Sequence, residues 1–348
     1  MYKRSGFARV LLHLRLLAVG LAAAGALACN SSGDRNRAVA PTPVSPAPAP
    51  APADEWSVEG LVTTTLSGVP VSGAEVSSAT GSTVTARTDS RGRFRLSAET
   101  HPGATPFRLT VTAPGHVTRD VWLDWQRGAR TDVTLDVIAS KAPFSLAFYR
   151  SFVRDGLETP DDLLALRRWT SAPSFYVRTV DENGKAVEAG VVNLITSSIR
   201  KAVREFSGGL YEAKSIQTGT ASRSRRTGWI NVNIVRETDE GDNVCGFAFV
   251  GANPGSITLV YDQCSCGSTK ISGAVVMHEV GHAMGFFHVG DSRSLMYPYV
   301  PSRCPPGVLS SAELYHARIA YTRPRGNLDP DRDPSSAAMA QREIKIVN

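Results

Sequence analysis

At 348 residues, 42% of them hydrophobic, the chain is long enough for two domains and has an ordinary globular composition. The formal charge is +6, but Lys3, Arg4, Arg9 and Arg15 lie in the first 28 residues, which hold no acid; without them 34 basic residues face 32 acidic ones. That balance argues against nucleic acid as a partner, and the one basic cluster, "SRSRR" at 222–226, reads as a solvated loop.

Residues 1–28 join a basic start to "LLAVGLAAAGALA", Leu16 to Ala28, thirteen apolar or small residues. A membrane-spanning helix needs about 20, so the stretch reads as an export signal. It closes on "GALAC", which resembles a bacterial lipoprotein signal. The resemblance implies that Cys29 is acylated and anchors the chain in a membrane. Asn30, where aspartate would favour the inner membrane, points to the outer membrane or cell surface. The alternative is an ordinary secretory signal and a secreted protein. Residues 29–54 are polar and then alternate proline with small residues, a semi-rigid tether.

Between residues 55 and 138 short alternating runs separated by turns predict strands: "SVEGLVTT", "AEVSSA", "TVTART", "RFRLSA", "FRLTVTA" and "RTDVTLDV". "TDSRGRF" at 88–94 is a hairpin signal. The stretches "GLVTTTLSGVPVSGAEV", "TDSRGRFRL" and "VTAPGHVTRDV" resemble the carboxypeptidase regulatory-like family of small β-sandwiches. That likeness implies an all-β spacer or adhesion module. His101 and His116 fall in its loops and read as solvent-exposed.

Residues 145–325 mix both element types. A short capped helix is predicted at "ETPDDLLALRRW" (158–169), a strand at "SFYVRTV" (174–180), and a helix over 186–206, where Val187, Val191, Leu194, Ile195, Ala202, Val203 and Phe206 recur at helical spacing before Gly208 and Gly209 stop it. Strands follow at "YEAKSIQ", "WINVNIV", "GFAFVG" and "ITLVYD", and a last helix at Ser311–Tyr321 opens on a capping box of Ser310 with Glu313. The order predicts an α/β (α+β) domain with a twisted mixed sheet. The polar tail, 326–348, is expected to be loose. Besides Cys29 there are Cys245, Cys264, Cys266 and Cys304, an even number that suggests two disulfides in an exported chain. Cys264 and Cys266 are too close in sequence to pair, so each takes one of Cys245 and Cys304, in either combination. A zinc site of all four cysteines is the rival reading, disfavoured because there is no second short Cys pair.

"HEVGHAMGFFH", 278–288, carries three of the chain's seven histidines. Residues i and i+4 share a helix face, so His278 and His282 point the same way, one turn apart. Gly285 can take the positive-φ conformation that ends a helix and lets His288 swing back as third ligand. Three protein ligands around a zinc ion leave a fourth position open, which marks a catalytic site. Glu279, next to the first ligand, suits a general base that takes a proton from the attacking water and passes it to the leaving amine. A core helix that happens to carry histidines is the bland reading; Gly285 and His288 in register weigh against it.

With "SLMYPYV" downstream at 294–300, the pattern HExxHxxGxxH resembles the metzincin zinc peptidases, and "LMYP" makes it most similar to the matrixins. The likeness extends over about residues 174–321. It implies one catalytic Zn2+ on His278, His282 and His288, Glu279 as catalytic base and then acid, and Met296 as the floor beneath the ion. It also implies that the strand Gly246, Phe247, Ala248, Phe249 pairs with an extended substrate, and that "PYV", including Tyr299, helps wall the adjoining pocket. Several positions depart from the family. Val289 replaces the usual serine, Val300 stands where a tyrosine is expected, and residues 117–277 hold no histidine for a second, structural zinc. "ETDEGD" (237–242) could take Ca2+ but reads as a solvated loop, and no cysteine between 30 and 244 could form a propeptide latch, so latency arises differently or the enzyme is active on export. The expectation is a membrane-anchored, monomeric zinc metalloendopeptidase acting on proteins or peptides. The alternative is a surface adhesion lipoprotein whose peptidase-like fold only binds.

Overall fold

The computed structural model describes residues 56–78, 83–98, 106–124, 131–240, 243–265, 270–299, 307–335 and 343–347. The signal, Cys29 and the tether, His101, Cys266, Val300 and Cys304 lie outside them. Among the described residues no helix is long and apolar enough to cross a membrane.

Alternation of apolar and polar residues builds the first part into strands β1 (Trp56–Thr64), β2 (Glu75–Ser78), β3 (Val84–Arg87), β4 (Arg93–Ala98), β5 (Phe107–Thr112), β6 (Arg119–Leu123) and β7 (Thr131–Val137). They form two sheets, β4-β1-β7 and β3-β2-β5-β6. Because side chains alternate between faces along a strand, Val58, Leu96, Val76, Leu109, Val111 and Val137 all reach one buried core. Trp56 closes it, its ring edge-on to Phe107 at 5.1 Å. This is the expected all-β sandwich; β6 is the strand that the turn pattern did not separate. His116 is half-buried, its ring 3.0 Å from the Pro114 carbonyl, rather than free in solvent.

The second part has helices α1 (Leu146–Arg154), α2 (Ala189–Phe206), α3 (Gly273–Ala283) and α4 (Ser311–Thr322). Its strands are β8 (Ser174–Arg178), β9 (Ser215–Gly219), β10 (Trp229–Val235), β11 (Gly246–Phe249), β12 (Gly255–Val260) and β13 (Lys345–Val347), in the sheet order β13-β11-β12-β10-β8-β9. The pairs β9–β8, β8–β10 and β10–β12 are parallel, whereas β11 is antiparallel to β12. The sheet is therefore mixed, as expected. Helix α2 buries the stripe Val191, Ile195, Ile199, Ala202, Val203 and Phe206. Helix α3 is buried from Ala274 to Ala283 on every side, so its polar residues stand inside the domain and need internal partners.

Two sequence expectations fail here. Residues 158–169 are not helical. Their backbone bonds elsewhere: the Leu164 amide to the Arg154 carbonyl, the Leu166 amide to that of Asn327, and the Gly326 amide to that of Leu166. The helix lies earlier, in α1, capped by the Ser145 side chain and ended by Asp155 at φ 61°. Nor is the tail after Gly326 loose where it is described. Asn327 and Asp331 are fully buried, and β13 joins the sheet. Arg323, at the end of α4, donates to Asp331 (2.8 Å), to Asp136 (2.6 Å) and to the Thr65 hydroxyl (3.0 Å), tying α4 and the tail to the sandwich. Arg119 of the sandwich reaches Asp333 at 3.0 Å.

Candidate metal centre

Helix α3 begins at Ser272, whose side chain accepts from the Ala274 amide. One turn separates His278 from His282. Gly281, between them, leaves no room for a side chain: a Cβ there would come within 2.5 Å of the Phe206 ring and 2.7 Å of Met296 Sδ. The helix stops at Gly285, whose φ of 108° is the conformation the turn requires. The chain then doubles back, with the Phe287 amide bonded to the Phe152 carbonyl at 2.8 Å, and brings His288 over the helix.

The three imidazoles converge. His278 Nε2 lies 3.0 Å from His282 Nε2 and 3.3 Å from His288 Nε2. Two Zn–N bonds of about 2.0–2.1 Å at a tetrahedral angle separate their nitrogens by roughly 3.3 Å, so the donor set fits such an ion. Each ring is also held from behind. His278 Nδ1 is 2.7 Å from the Leu295 carbonyl, His282 Nδ1 is 2.8 Å from that of Phe286, and His288 Nδ1 is 2.8 Å from Glu158 Oε1. Those partners only accept, so each Nδ1 carries the proton and each Nε2 offers its lone pair inward. Among the described residues this is the group of side chains suited to a metal ion, and all three histidines are buried.

Two acids that the motif does not contain complete the setting. Glu158 follows the left-handed Asp155 that ends α1. Burial acts to raise its carboxyl, but the hydrogen bond and charge of His288 together with the hydrogen bond from Asp155 hold it below the ordinary value. Burial, then the hydrogen bond and charge of Glu158, push the Asp155 carboxyl up to about 6. Glu313 is fully buried at the start of α4. It completes the expected capping box with Ser310 and also accepts from the Met296 amide at 2.8 Å and the Leu295 amide at 3.2 Å. Glu313 thus fixes the turn whose carbonyl holds His278. Burial raises its carboxyl pKa, with those amides pulling the other way. The capping box was legible in the sequence. Its second task was not, nor was Glu158, which the misplaced helix hid.

The other expected site residues are distributed unevenly. Glu279 is fully buried against Gly246, where a Cβ would come within 3.0 Å of its Oε1. Met296 is fully buried beside Gly281. Ala248 is buried, while Phe247 and Phe249 share the other face of β11, half-buried. Tyr299 is 71% exposed, with its ring edge-on to that of Tyr297 at 5.8 Å. Cys245 is bonded to Cys264, which decides between the two combinations left open for that pair. In the "ETDEGD" loop Glu240 pairs with Lys345.

Comparison with known proteins agrees in part. The carboxypeptidase regulatory-like domain family matches residues 57–137, and the matrixin family matches residues 260–310, a stretch that contains α3, all three histidines and Met296. The chain is therefore similar to a carboxypeptidase regulatory-like domain followed by part of a matrixin domain. A search of curated proteins finds no match. Among solved structures, a type II cohesin–X-dockerin complex from Acetivibrio cellulolyticus aligns at 22% identity over 24% of this chain and 55% of that one, with a TM-score of 0.19. A DUF3823 family protein from Parabacteroides merdae aligns at 17% identity over 24% of this chain and 46% of that one, with a TM-score of 0.20. The chain thus spans about half the length of the structures it matches.

Proposed function

We propose that the chain is a metzincin-type, matrixin-like zinc endopeptidase, exported and anchored at a membrane surface through Cys29. The observation that carries this reading is the convergence of the three imidazoles, with His278 Nε2 3.0 Å from that of His282 and 3.3 Å from that of His288 and each ring oriented from behind by an acceptor. Three imidazoles without thiolates suit zinc and leave a coordination position free for substrate or water. His278, His282 and His288 would hold a zinc ion, which would supply Lewis acidity and make the attacking water easier to deprotonate. Glu279, adjacent to His278 and buried beside β11, takes the proton of the attacking water and delivers it to the departing amine. β11 lies next to Glu279, and an extended peptide would pair with its outer edge in place of β13, which occupies that edge. The protein acts as a monomer on protein or peptide substrates, with the sandwich and the tether as spacers.

The test compares the parent with Glu279→Ala on a mixed peptide library, with zinc measured in both. The expected result is about one zinc in each and a kcat/KM roughly a thousandfold lower in the variant. Zinc-loaded parent protein that cleaves nothing would favour the alternative, a binding lipoprotein.

A further inference from the structure

β11 runs alongside the motif helix. Its first residue, Gly246, lies against Glu279, and just past its far end the Gly251 amide donates to the His282 carbonyl at 3.0 Å. One side of β11 pairs with β12. The other side would be a bare row of amides and carbonyls, the kind of edge that accepts another extended chain, but it is taken by β13. The register is antiparallel, Phe247 opposite Val347, Ala248 opposite Ile346 and Phe249 opposite Lys345, and the Val250 amide donates to the Ile344 carbonyl at 2.8 Å.

Side chains extend the pairing. Residues 343 and 345 point to one face and 344 and 346 to the other. The Lys345 ammonium sits 4.1 Å from the centre of the Phe247 ring and pairs with Glu240. Glu343 pairs with Arg225, which also donates to the Pro254 carbonyl at 2.8 Å and covers Phe249 at 5.2 Å. The cluster "SRSRR" therefore supplies one end of a cradle. Solvent reaches both ion pairs, so each adds little, and three paired residues make a short strand. Such a segment holds its place mainly because the chain keeps it close, at a high effective concentration.

We propose that the outer edge of β11 is an extended-peptide site whose resident ligand is the chain's own segment Glu343–Val347. The peptides it accepts in exchange share that pattern: an acid facing Arg225, a base over Phe247 beside Glu240, one β-branched apolar residue between the two and more beyond the base. Occupancy in cis also masks the edge beside Glu279. That consequence rests on the peptidase reading; the binding itself does not.

The binding arm uses Glu279→Ala protein, so that cleavage cannot intrude. A fluorescein-labelled peptide of residues 342–347, REIKIV, is titrated into the full chain, a chain ending at Ser335, and Ile346→Pro, which removes an amide from the β13 ladder. The expected result is binding at least about tenfold tighter to the shortened chain and to Ile346→Pro than to the full chain. A peptide with its Glu and Lys exchanged should bind several-fold more weakly. If the shortened chain fails to fold, Ile346→Pro gives the answer. In the Glu279-intact proteins the same two changes should raise kcat/KM for library peptides about tenfold, mainly through KM. Equal peptide affinity in all three proteins would overturn the inference. Tighter binding by the altered chains without cleavage by any of them would leave the edge site standing and sink the peptidase reading.

Discussion

The Nδ1 atoms of the three histidines distinguish this site from a chance cluster of imidazoles. Two bond to carbonyls of turns that the chain makes near the motif, but the third depends on Glu158, which lies 130 positions away and is 44% exposed on its side chain. An acceptor behind a ligating imidazole orients the ring and raises its basicity, and losing it usually weakens metal binding by about tenfold or more. Glu158→Ala should therefore weaken zinc binding by roughly that factor, with Glu158→Gln, which can still accept, falling between. Chelator competition measures both, and circular dichroism should not change, because a partly exposed side chain carries little of the packing. Unaltered zinc affinity in Glu158→Ala would mean that the turn alone places His288.

At the scale of elements, α4 supports the site without touching the metal position. Glu313 accepts from the amides of Ser310, Leu295 and Met296 with its two oxygens, all in a fully buried place. Glu313→Gln would turn an NH2 group toward one of those donors. The expected loss is about 2–3 kcal/mol in the metal-free protein, read from the denaturant midpoint, with weaker zinc binding as the Leu295 carbonyl behind His278 loosens. The capping box and the stripe of α2 were legible because both depend on residues three or four apart. Helix α1 was not: its apolar positions 148, 149, 152 and 153 surround Arg150 and Arg154, and Arg154 is fully buried on the Asn327 carbonyl at 2.7 Å. The segment 158–169 has a helix-like start and leucines at helical spacing, yet its amides are drawn to other parts of the chain, so tertiary pairing overrides local propensity. The motif itself was readable because metal geometry demands fixed spacing. β13 was not, since three residues pairing with a strand a hundred positions away leave no local pattern.

The whole molecule is joined by charge where sandwich, α4 and tail meet. Burial alone would lower the Arg323 pKa, but Asp331 and Asp136 raise it above its ordinary value, and the guanidinium stays charged at any working pH. For Asp136, burial acts to raise the carboxyl, but Arg323 and Arg119 outweigh it and hold the pKa below the usual range. A carboxyl depressed in the folded state contributes stability that is fully present above its unfolded value, about 3.9, and is lost as pH falls from there through its folded value. Protonation of Asp136 would leave Arg119 with Asp333 and Arg323 with Asp331, so the junction weakens rather than vanishes. Asp136→Asn should therefore lower stability at neutral pH by about 3 kcal/mol, the low end for breaking a buried pair. It should also flatten the decline in Tm below about pH 4 that the parent shows. Calorimetry on both proteins across that range separates this account from a junction held by packing alone, for which the two acid profiles would run parallel.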